Sequence, residues 1–567
     1  MNRGPLRSDL ALLLLFLVGY GWLFVFFEKL NNPNELVRVY MARAIVEEHT
    51  YAIGRRVALG NRLVDTGPIY SDWGYVNDKA LVCDDPRARP PGCVGTLYAV
   101  KAPATTLLGL PVVAALRALL PHPPSRTQYV FALRWLVIIL PTVLLWLFVR
   151  RFLRASGAGE PLALSVTLAA AFGSLSLTYG QLYAGHNLAA IGLGLAFLAT
   201  FWPRAGAPIW PNDQETAPGL SEGESPSQLP IWSGGQESLA AAAVGFGTAL
   251  AIAAEYPAGP ACVILGLGWL WARRPGLRRL LWAALGAAGP LFALAHFQHA
   301  AFGSLFATPY AHQENAQFIQ DLSQGPLGIS PPTVERLFGS LFSPFLGLFY
   351  WAPWTALIVF AAVRLRRSLP GLTACAVAGY YLVFQITHAF WRSGWVVGPR
   401  YTTPMIPCLA LAVGLSLSRL RRVDQPLALG IFGGLAAAAV GATGLASAVC
   451  QGFPEEVFNP LREIVGPLLA HGYVPRNLLQ LLGVPGLWSA LPYFAALALA
   501  ILLLLTAPLR LDRKLPGRRL GALFAVLLAA ALTAAQWTAR SGPPHPGAVR
   551  YLASIWEPDP PPGAQKF

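Results

Sequence analysis

The chain has 567 residues, of which 55% are hydrophobic and only 12% charged, with a mean hydropathy of +0.49 and a formal net charge of +15. Apolar runs of about 20 residues recur along it, which excludes a soluble single-core protein and identifies a polytopic α-helical membrane protein. The excess of arginine gathers at the ends of those runs, as cytoplasmic loops require, so the positive charge gives no argument for a nucleic-acid ligand.

The pattern predicts an all-α fold of about thirteen membrane-spanning helices. They fall at 9–27, 128–149, 161–180, 187–202, 238–256, 258–272, 279–298, 345–363, 369–388, 402–418, 426–449, 491–509 and 517–538. The first run is longer than a signal-peptide core and has no small-residue cleavage site after it, so it reads as a membrane helix. No internal repeat is visible, and the whole chain, 1–567, reads as a single transmembrane domain.

A dense group of charged residues lies between 31 and 101, inside a first outer loop of 28–127 carrying juxtamembrane helices. Asn32-Pro33-Asn34-Glu35 opens a helix whose apolar positions Leu36, Val39, Tyr40 and Ile45 suggest an amphipathic element on the outer surface. Glu35 fits two roles. With Asn32 as N-cap and Pro33 at the first helical position it closes a capping box and pairs with Arg38 one turn on; alternatively it is a general base at the membrane's outer edge. Asp78-Lys79-Ala80 and Tyr98-Ala99-Val100-Lys101-Ala102-Pro103 bring a carboxylate and an ammonium to the end of the same loop. Lys101 either snorkels to the interface or meets a phosphate at headgroup depth. Cys83 and Cys93 close a short Pro-rich segment on the oxidising face of a membrane, the setting for a disulfide.

The run 103–120 is long enough to span, but parity decides against it. If it does not cross, the clusters Arg150/Arg151/Arg154, Arg273/Arg274/Arg278/Arg279, Arg364/Arg366/Arg367, Arg419/Arg421/Arg422 and Arg510/Arg513/Lys514/Arg518/Arg519 all fall on the cytoplasmic side with Arg3 and Arg7. Residues 103–120 are therefore expected to be juxtamembrane or re-entrant. The segment 203–237, rich in Pro, Ser, Gly and Glu, has the composition of a flexible cytoplasmic linker. Further outer loops run over 299–344, 389–401 and 450–490, and the tail from 539 lies outside.

Three later stretches carry chemistry. Tyr179 to Asn187 forms a short outer turn with His186 in it, and Glu255-Tyr256-Pro257 forms another. An acid at the end of a span is costly unless paired or facing a cavity, which makes Glu255 a site candidate, whereas His186 is equally suited to a structural hydrogen bond. From His388 to Tyr401 two arginines, Arg392 and Arg400, sit among aromatics. Arg400, fixed by Gly398-Pro399 at a helix start, suits a bidentate phosphate contact.

Asn34-Glu35-x-x-Arg38, an Asp-x-Ala, Tyr98-x-x-Lys101-Ala102-Pro103, Glu255-Tyr256-Pro257 and Gly398-Pro399-Arg400-Tyr401 before a Pro-rich span together resemble the GT-C superfamily of membrane glycosyltransferases. The likeness is to bacterial relatives of protein O-mannosyltransferases and of the lipid A aminoarabinose transferase. It departs where the Cys83–Cys93 segment separates two motifs that lie close together in that family, so Asp78 or Asp72 is the matching acid. The resemblance implies transfer of a sugar from a polyprenyl-phosphate donor to a protein, lipid or glycan acceptor, with inversion, at the outer face of a bacterial cytoplasmic membrane. It implies Glu35 or Asp78 as base, with Lys101 and Arg400 clamping the phosphate. Arg38, His186, Glu255, Tyr256, Arg392 and Tyr401 would line the donor site. No cofactor or divalent metal is indicated beyond the lipid-linked donor. The expected partners are that donor, an unknown acceptor and membrane lipids, with no nucleic acid. A transporter or flippase of a lipid-linked or anionic substrate is the competing class; charges near the midplane between repeated halves would favour it, and here they gather at the outer interface.

Overall fold

The computed structural model describes residues 4–30, 32–203, 236–325, 328–542 and 546–556. The segment read as a cytoplasmic linker lies, at 204–235, outside them. The stretches expected to span are largely helical; the first holds helix α1 (Gly4–Gly21) and is non-helical over 22–27, and further breaks fall at Gly173-Ser174, at 345–347 and at Ala352. Among the described residues seven helices are long and apolar enough to cross a membrane: Arg126–Ala155, Glu237–Ala254, Leu277–Phe302, Leu369–Thr387, Arg400–Ser418, Gln425–Ser447 and Arg518–Thr538. The count of thirteen rests on adding shorter apolar helices such as Gly185–Phe201 and Leu491–Leu505.

Small residues let these helices approach closely. A side chain on Gly245 or Gly286 would strike the backbone of Ala283 or Ala242 on the facing helix, and Gly430 and Gly521 meet the same way. Such contacts hold helices together where lipid offers no hydrophobic driving force. Leu277–Phe302 and Arg518–Thr538 keep most of their apolar surface outward, as lipid-facing helices do.

The first outer loop differs from its expected form in two ways. First, it contains a sheet. Strands β1 (Ala52–Leu59), β2 (Arg62–Thr66), β3 (Lys79–Cys83) and β4 (Gly95–Ala99) form an antiparallel sheet in the order β2-β1-β4-β3, so the fold is mostly rather than wholly helical. The β1–β2 hairpin turns at Gly60-Asn61, with Gly60 at φ 60. That is a two-residue hairpin signal between Val57/Leu59 and Leu63/Val64. The alternation was hidden because two inward positions are charged: Arg56 and Lys79 are buried and meet Asp65 and Glu314 at 2.7 to 3.9 Å. Glu314 comes from the outer loop after Leu277–Phe302, and its amide also bonds Lys79 O, so a balanced quartet of charges ties that loop to the sheet. Second, α2 (Pro33–Glu48) is not a surface amphipath. Every residue from Glu35 to Ala44 is buried.

Residues 103–120 form the helix Ala104–Leu119, with Pro111 inside it and Ala104, Thr105, Gly109 and Val113 on its buried side. It packs against α2. The tail does not trail off. Helix Pro546–Ile555 folds back, with Trp556 against Phe27 and Tyr473 at ring distances of 4.6 and 5.6 Å.

Cys83, the last residue of β3, is bonded to Cys93, two residues before β4, so the bridge closes the connection between two paired strands. A loop of this length is stabilised by about 3 kcal/mol when cross-linked. Replacing both cysteines by serine is expected to speed amide hydrogen exchange in β3 and β4 while leaving the spanning helices unchanged. Unchanged exchange at Leu81 and Leu97 would refute a local ordering role for the bridge.

Candidate active site

The site is built around α2, which carries three ionisable side chains into the interior. Each finds a counter-charge on a different part of the chain. Glu35, wholly buried, accepts from Arg134 Nε at 2.7 Å and Nη2 at 2.5 Å, from the Tyr183 amide at 2.7 Å, and from Asn32 Nδ2 at 3.1 Å. Arg38 lies 3.6 Å from Glu255 and donates to the Asn34 carbonyl. Arg43 is held by Glu47 and Asp72, both at 2.8 Å, with its guanidinium over Trp73. An unpaired charge in such surroundings would be prohibitively costly, so these pairs fix both the rotation and the depth of α2.

Two expectations change here. The capping box does not form: Asn32 makes no side-chain cap bond, and its amide donates to Glu35 instead. Arg38 is not the partner of Glu35 either. The two oxygens of Glu35 already accept four hydrogen bonds, two of them from a guanidinium, so an incoming proton would have to displace one of these donors. Asp72, the alternative acid, is engaged by Arg43 and does not reach the cavity.

A cavity of about 550 Å³ opens above the N-terminus of α2. Asp78, His186 and Arg400 line it, with Asn34 and Glu35 at its floor. Asp78 takes a left-handed backbone (φ 55), held by the Val100 amide on its carbonyl. This turns its carboxylate to Lys101 Nζ, 3.1 Å away. Burial, and then the nearby Arg400 and Arg38 guanidiniums, hold the Lys101 amine below its ordinary value against the opposing pull of Asp78. Arg38 is likewise held below its ordinary range by burial, against Glu255. Glu255 lies 3.5 Å from His186 Nδ1 as well as 3.6 Å from Arg38, and the His186 ring stands edge-on to Tyr179 and Tyr401. Arg400 leans on Tyr401, its guanidinium carbon 5.4 Å from that ring. Tyr256 faces Tyr310 across 5.7 Å.

Three cations, Arg38, Lys101 and Arg400, thus meet two acids, Asp78 and Glu255. The N–H groups of Arg38 Nε, Arg38 Nη2 and Arg400 Nε are buried with no acceptor among the described residues. Buried donors of this kind are rare in native proteins unless a ligand completes them. An anion with several oxygens is the group they fit. Among the described residues no three His, Cys, Asp or Glu side chains are grouped to hold a metal.

Arg392 does not join this site. It pairs with Glu455, through Nε at 3.5 Å and a 3.0 Å bond to the Glu455 carbonyl, and faces a separate, mostly aromatic cavity of about 490 Å³ with Phe338, Phe342 and Trp391. Arg134 was missed by the reading of the sequence. Its signal was present, an arginine inside the apolar run 128–149, where a charge is costly enough to imply a buried partner. It sits in a π-helical stretch, Arg134–Ile139, a distortion frequent where a side chain is re-aimed for function.

Glu35→Gln leaves Arg134 charged and buried without its partner. We expect a loss of about 3–5 kcal/mol, read as a lower unfolding temperature in detergent, with the chemistry of the surviving folded fraction little changed. Unaltered stability would refute the structural role. For Lys101, the folded state disfavours the charged amine, so folding is penalised while it stays protonated. Stability from this group rises as pH climbs through the folded value towards the unfolded value of 10.5. In NMR of isotope-labelled dimethyl-lysine, Lys101 should titrate below an exposed lysine, and lower still in Asp78→Asn. An unmoved titration in that variant would dissolve the pair.

No family model and no curated protein matches the sequence. Among solved structures the chain is similar to ArnT from Cupriavidus metallidurans bound to undecaprenyl phosphate, at 14% identity and a TM-score of 0.44, over 95% of this chain and 76% of that one. It is also similar to the Archaeoglobus fulgidus oligosaccharyltransferase in the apo form, at 12% identity and a TM-score of 0.42, over 100% of this chain and 61% of that one.

Proposed function

We propose that the protein is a membrane glycosyltransferase that takes a sugar from a polyprenyl-phosphate donor and passes it to an acceptor at the outer face of the cytoplasmic membrane. One observation carries this reading: Arg38 and Arg400 hold three buried N–H groups that have no acceptor among the described residues, and Arg400 shares the cavity with a carboxylate, Asp78, that is not locked in a guanidinium fork. A lipid phosphate is both the anion those donors fit and a good leaving group. A single base and cationic stabilisation of the departing phosphate therefore suffice, without the second, protonated carboxyl that glycosidases need.

In the step we propose, Asp78 accepts the proton of an acceptor hydroxyl or amine as that atom attacks the anomeric carbon. The bond from that carbon to the phosphate oxygen breaks, its electron pair staying on the phosphate, which Arg400 and Lys101 hold. A single displacement of this kind inverts the anomeric centre. Lys101 touches Asp78 and, in this step, the departing phosphate, so it holds the base and the leaving group in the same place. Glu255, between Arg38 and His186, orients both. Glu35 and Arg134 hold the helix under the site.

The test uses purified protein and a panel of undecaprenyl-phosphate-linked sugars. Once a donor is found, Asp78→Asn should lower turnover by about 10²- to 10⁴-fold while thermal stabilisation by undecaprenyl phosphate persists. Arg400→Lys should weaken that stabilisation, because a point charge does not reproduce a planar fork of donors. Full turnover in Asp78→Asn would remove it as the base, and undecaprenyl phosphate that binds the Arg400→Lys protein as tightly as the parent would remove the clamp.

A further inference from the structure

The outer half of the cavity has a different character from its charged floor. Three of the large aromatic side chains left open to solvent on this molecule line this one space: Tyr75, 60% exposed, Tyr551, 49%, and Trp395, 39%. They come from the first outer loop, the folded-back C-terminal helix and the turn before Arg400. Tyr551 meets Trp395 edge-on, with ring centres 5.8 Å apart and planes at 85°, which leaves flat faces available rather than stacked on each other. Lys79 Nζ lies 4.0 Å from the centre of the Tyr75 ring and steadies it. The C-terminal helix is fastened here by Lys29 Nζ on the Ser554 carbonyl and by Trp556 on Phe27, and both Lys29 and Phe27 line the same cavity.

Between these rings the wall offers amides. Asn77 Oδ1 and Gln451 Oε1 are buried and accept no hydrogen bond among the described residues, although Gln451 is itself only 7% exposed and is fixed through Nε2 to Gln181. Each carboxylate that lines the cavity already faces a cation: Glu35 pairs with Arg134, Asp78 with Lys101 and Glu455 with Arg392. A ligand for this half must therefore supply hydroxyl donors to the amides and a C–H face to the rings, and an ammonium group on it would meet no carboxylate that lacks a cation already. Those are the properties of an uncharged pyranose. A peptide seeking backbone pairs would look to the edge strand β3, but Gln313 and Glu314 already occupy that edge at Lys79 and Ala80.

We infer that Trp395 and Tyr551, with Tyr75, Asn77 and Gln451, form a subsite for a neutral saccharide acceptor, completed by the C-terminal helix. This rests on the glycosyltransferase reading and narrows it: the acceptor is a hydroxyl-bearing glycan, which approaches the base from the side opposite the cationic floor. Trp395 and Tyr551 are then specificity-determining residues.

The experiment is saturation-transfer NMR on the full-length protein in nanodiscs, irradiating aromatic protons. The probes are neutral gluco-, manno- and galacto-trisaccharides, the cationic glucosamine trisaccharide and a Ser/Thr-rich peptide. At least one neutral trisaccharide should show transfer, and its affinity should fall about tenfold in Trp395→Ala and in Tyr551→Ala, the loss of one stacking face, while Tyr551→Phe, which keeps the ring, retains it. Retention in Tyr551→Phe with loss in Tyr551→Ala separates a platform from a mere fold contact. Transfer to none of the neutral trisaccharides, transfer unmoved by either alanine variant, or preference for the cationic trisaccharide or the peptide would overturn the proposal. Stabilisation by undecaprenyl phosphate is measured on the same samples: its absence counts against the lipid-phosphate donor and leaves the saccharide result to stand or fall by itself.

Discussion

The structure depends on the burial of a charged helix. In ten consecutive residues, Glu35 to Ala44, α2 takes one carboxylate and two guanidiniums out of water. Each would be untenable alone, and each is answered from elsewhere: Arg134 on a spanning helix, Glu255 at the end of another, and Asp72 in the first outer loop. Rotating α2 by one residue would break all three pairs at once. Breaking a buried pair costs far more than forming it contributes, so the value of this arrangement lies in its specificity. Everything at the cavity floor inherits its position from that register, including Asn34, the Tyr183 amide on Glu35, and the guanidinium of Arg38.

A second ionic cluster shows by contrast what the cavity is for. Arg56, Lys79, Asp65 and Glu314 are two cations and two anions, closed on one another between sheet and loop. Their charge is balanced, and the cluster does structural work: it pins Lys79, and with it the left-handed Asp78 one residue before. The cavity floor has the same ingredients in a different ratio. Here Arg38, Lys101 and Arg400 outnumber Asp78 and Glu255 by one, and three buried N–H groups on Arg38 and Arg400 have no acceptor among the described residues. A balanced cluster is finished as folded, whereas an unbalanced one with donors to spare is completed only by an anion.

How much of this was legible follows from the range of each interaction. Charged residue types that are costly near a membrane stood out at six separate stretches, Arg38, Asp78, Lys101, His186, Glu255 and Arg400, which the structure brings together, although Arg134 inside an apolar run was passed over. Partnership was not legible, because it is set by packing between elements far apart in sequence. Asn32 and Glu35 have the spacing of a local capping box, and the tertiary demand of Arg134, 99 positions away, overrode it. Arg392 and Arg400 are neighbours in sequence, yet Ser393, Gly394 and Gly398 all take positive φ and turn the chain between them, so the two side chains face different cavities. The sheet was invisible for a related reason: its inward positions carry Arg56 and Lys79, which break the apolar alternation on which a strand is recognised.

The same distinction sorts the carboxylates by function. A base must be ionised, reachable, and able to accept one more hydrogen bond than it already has. Glu35 is wholly buried and saturated by four donors. Glu455 sits on the wall between two cavities with Arg392 on it. Glu255 lies 3.5 Å or more from both of its partners and serves to hold Arg38 and His186 in place. Asp78 alone combines a cavity-facing position with a single ammonium partner at 3.1 Å, which leaves lone pairs on both oxygens. An ammonium contacts a carboxylate at one point where a guanidinium grips it at two, so the residue opposite each acid decides whether that acid can react. In this chain arginines close on Glu35, Asp72 and Asp65, and in the step proposed here the lysine leaves Asp78 held but not closed.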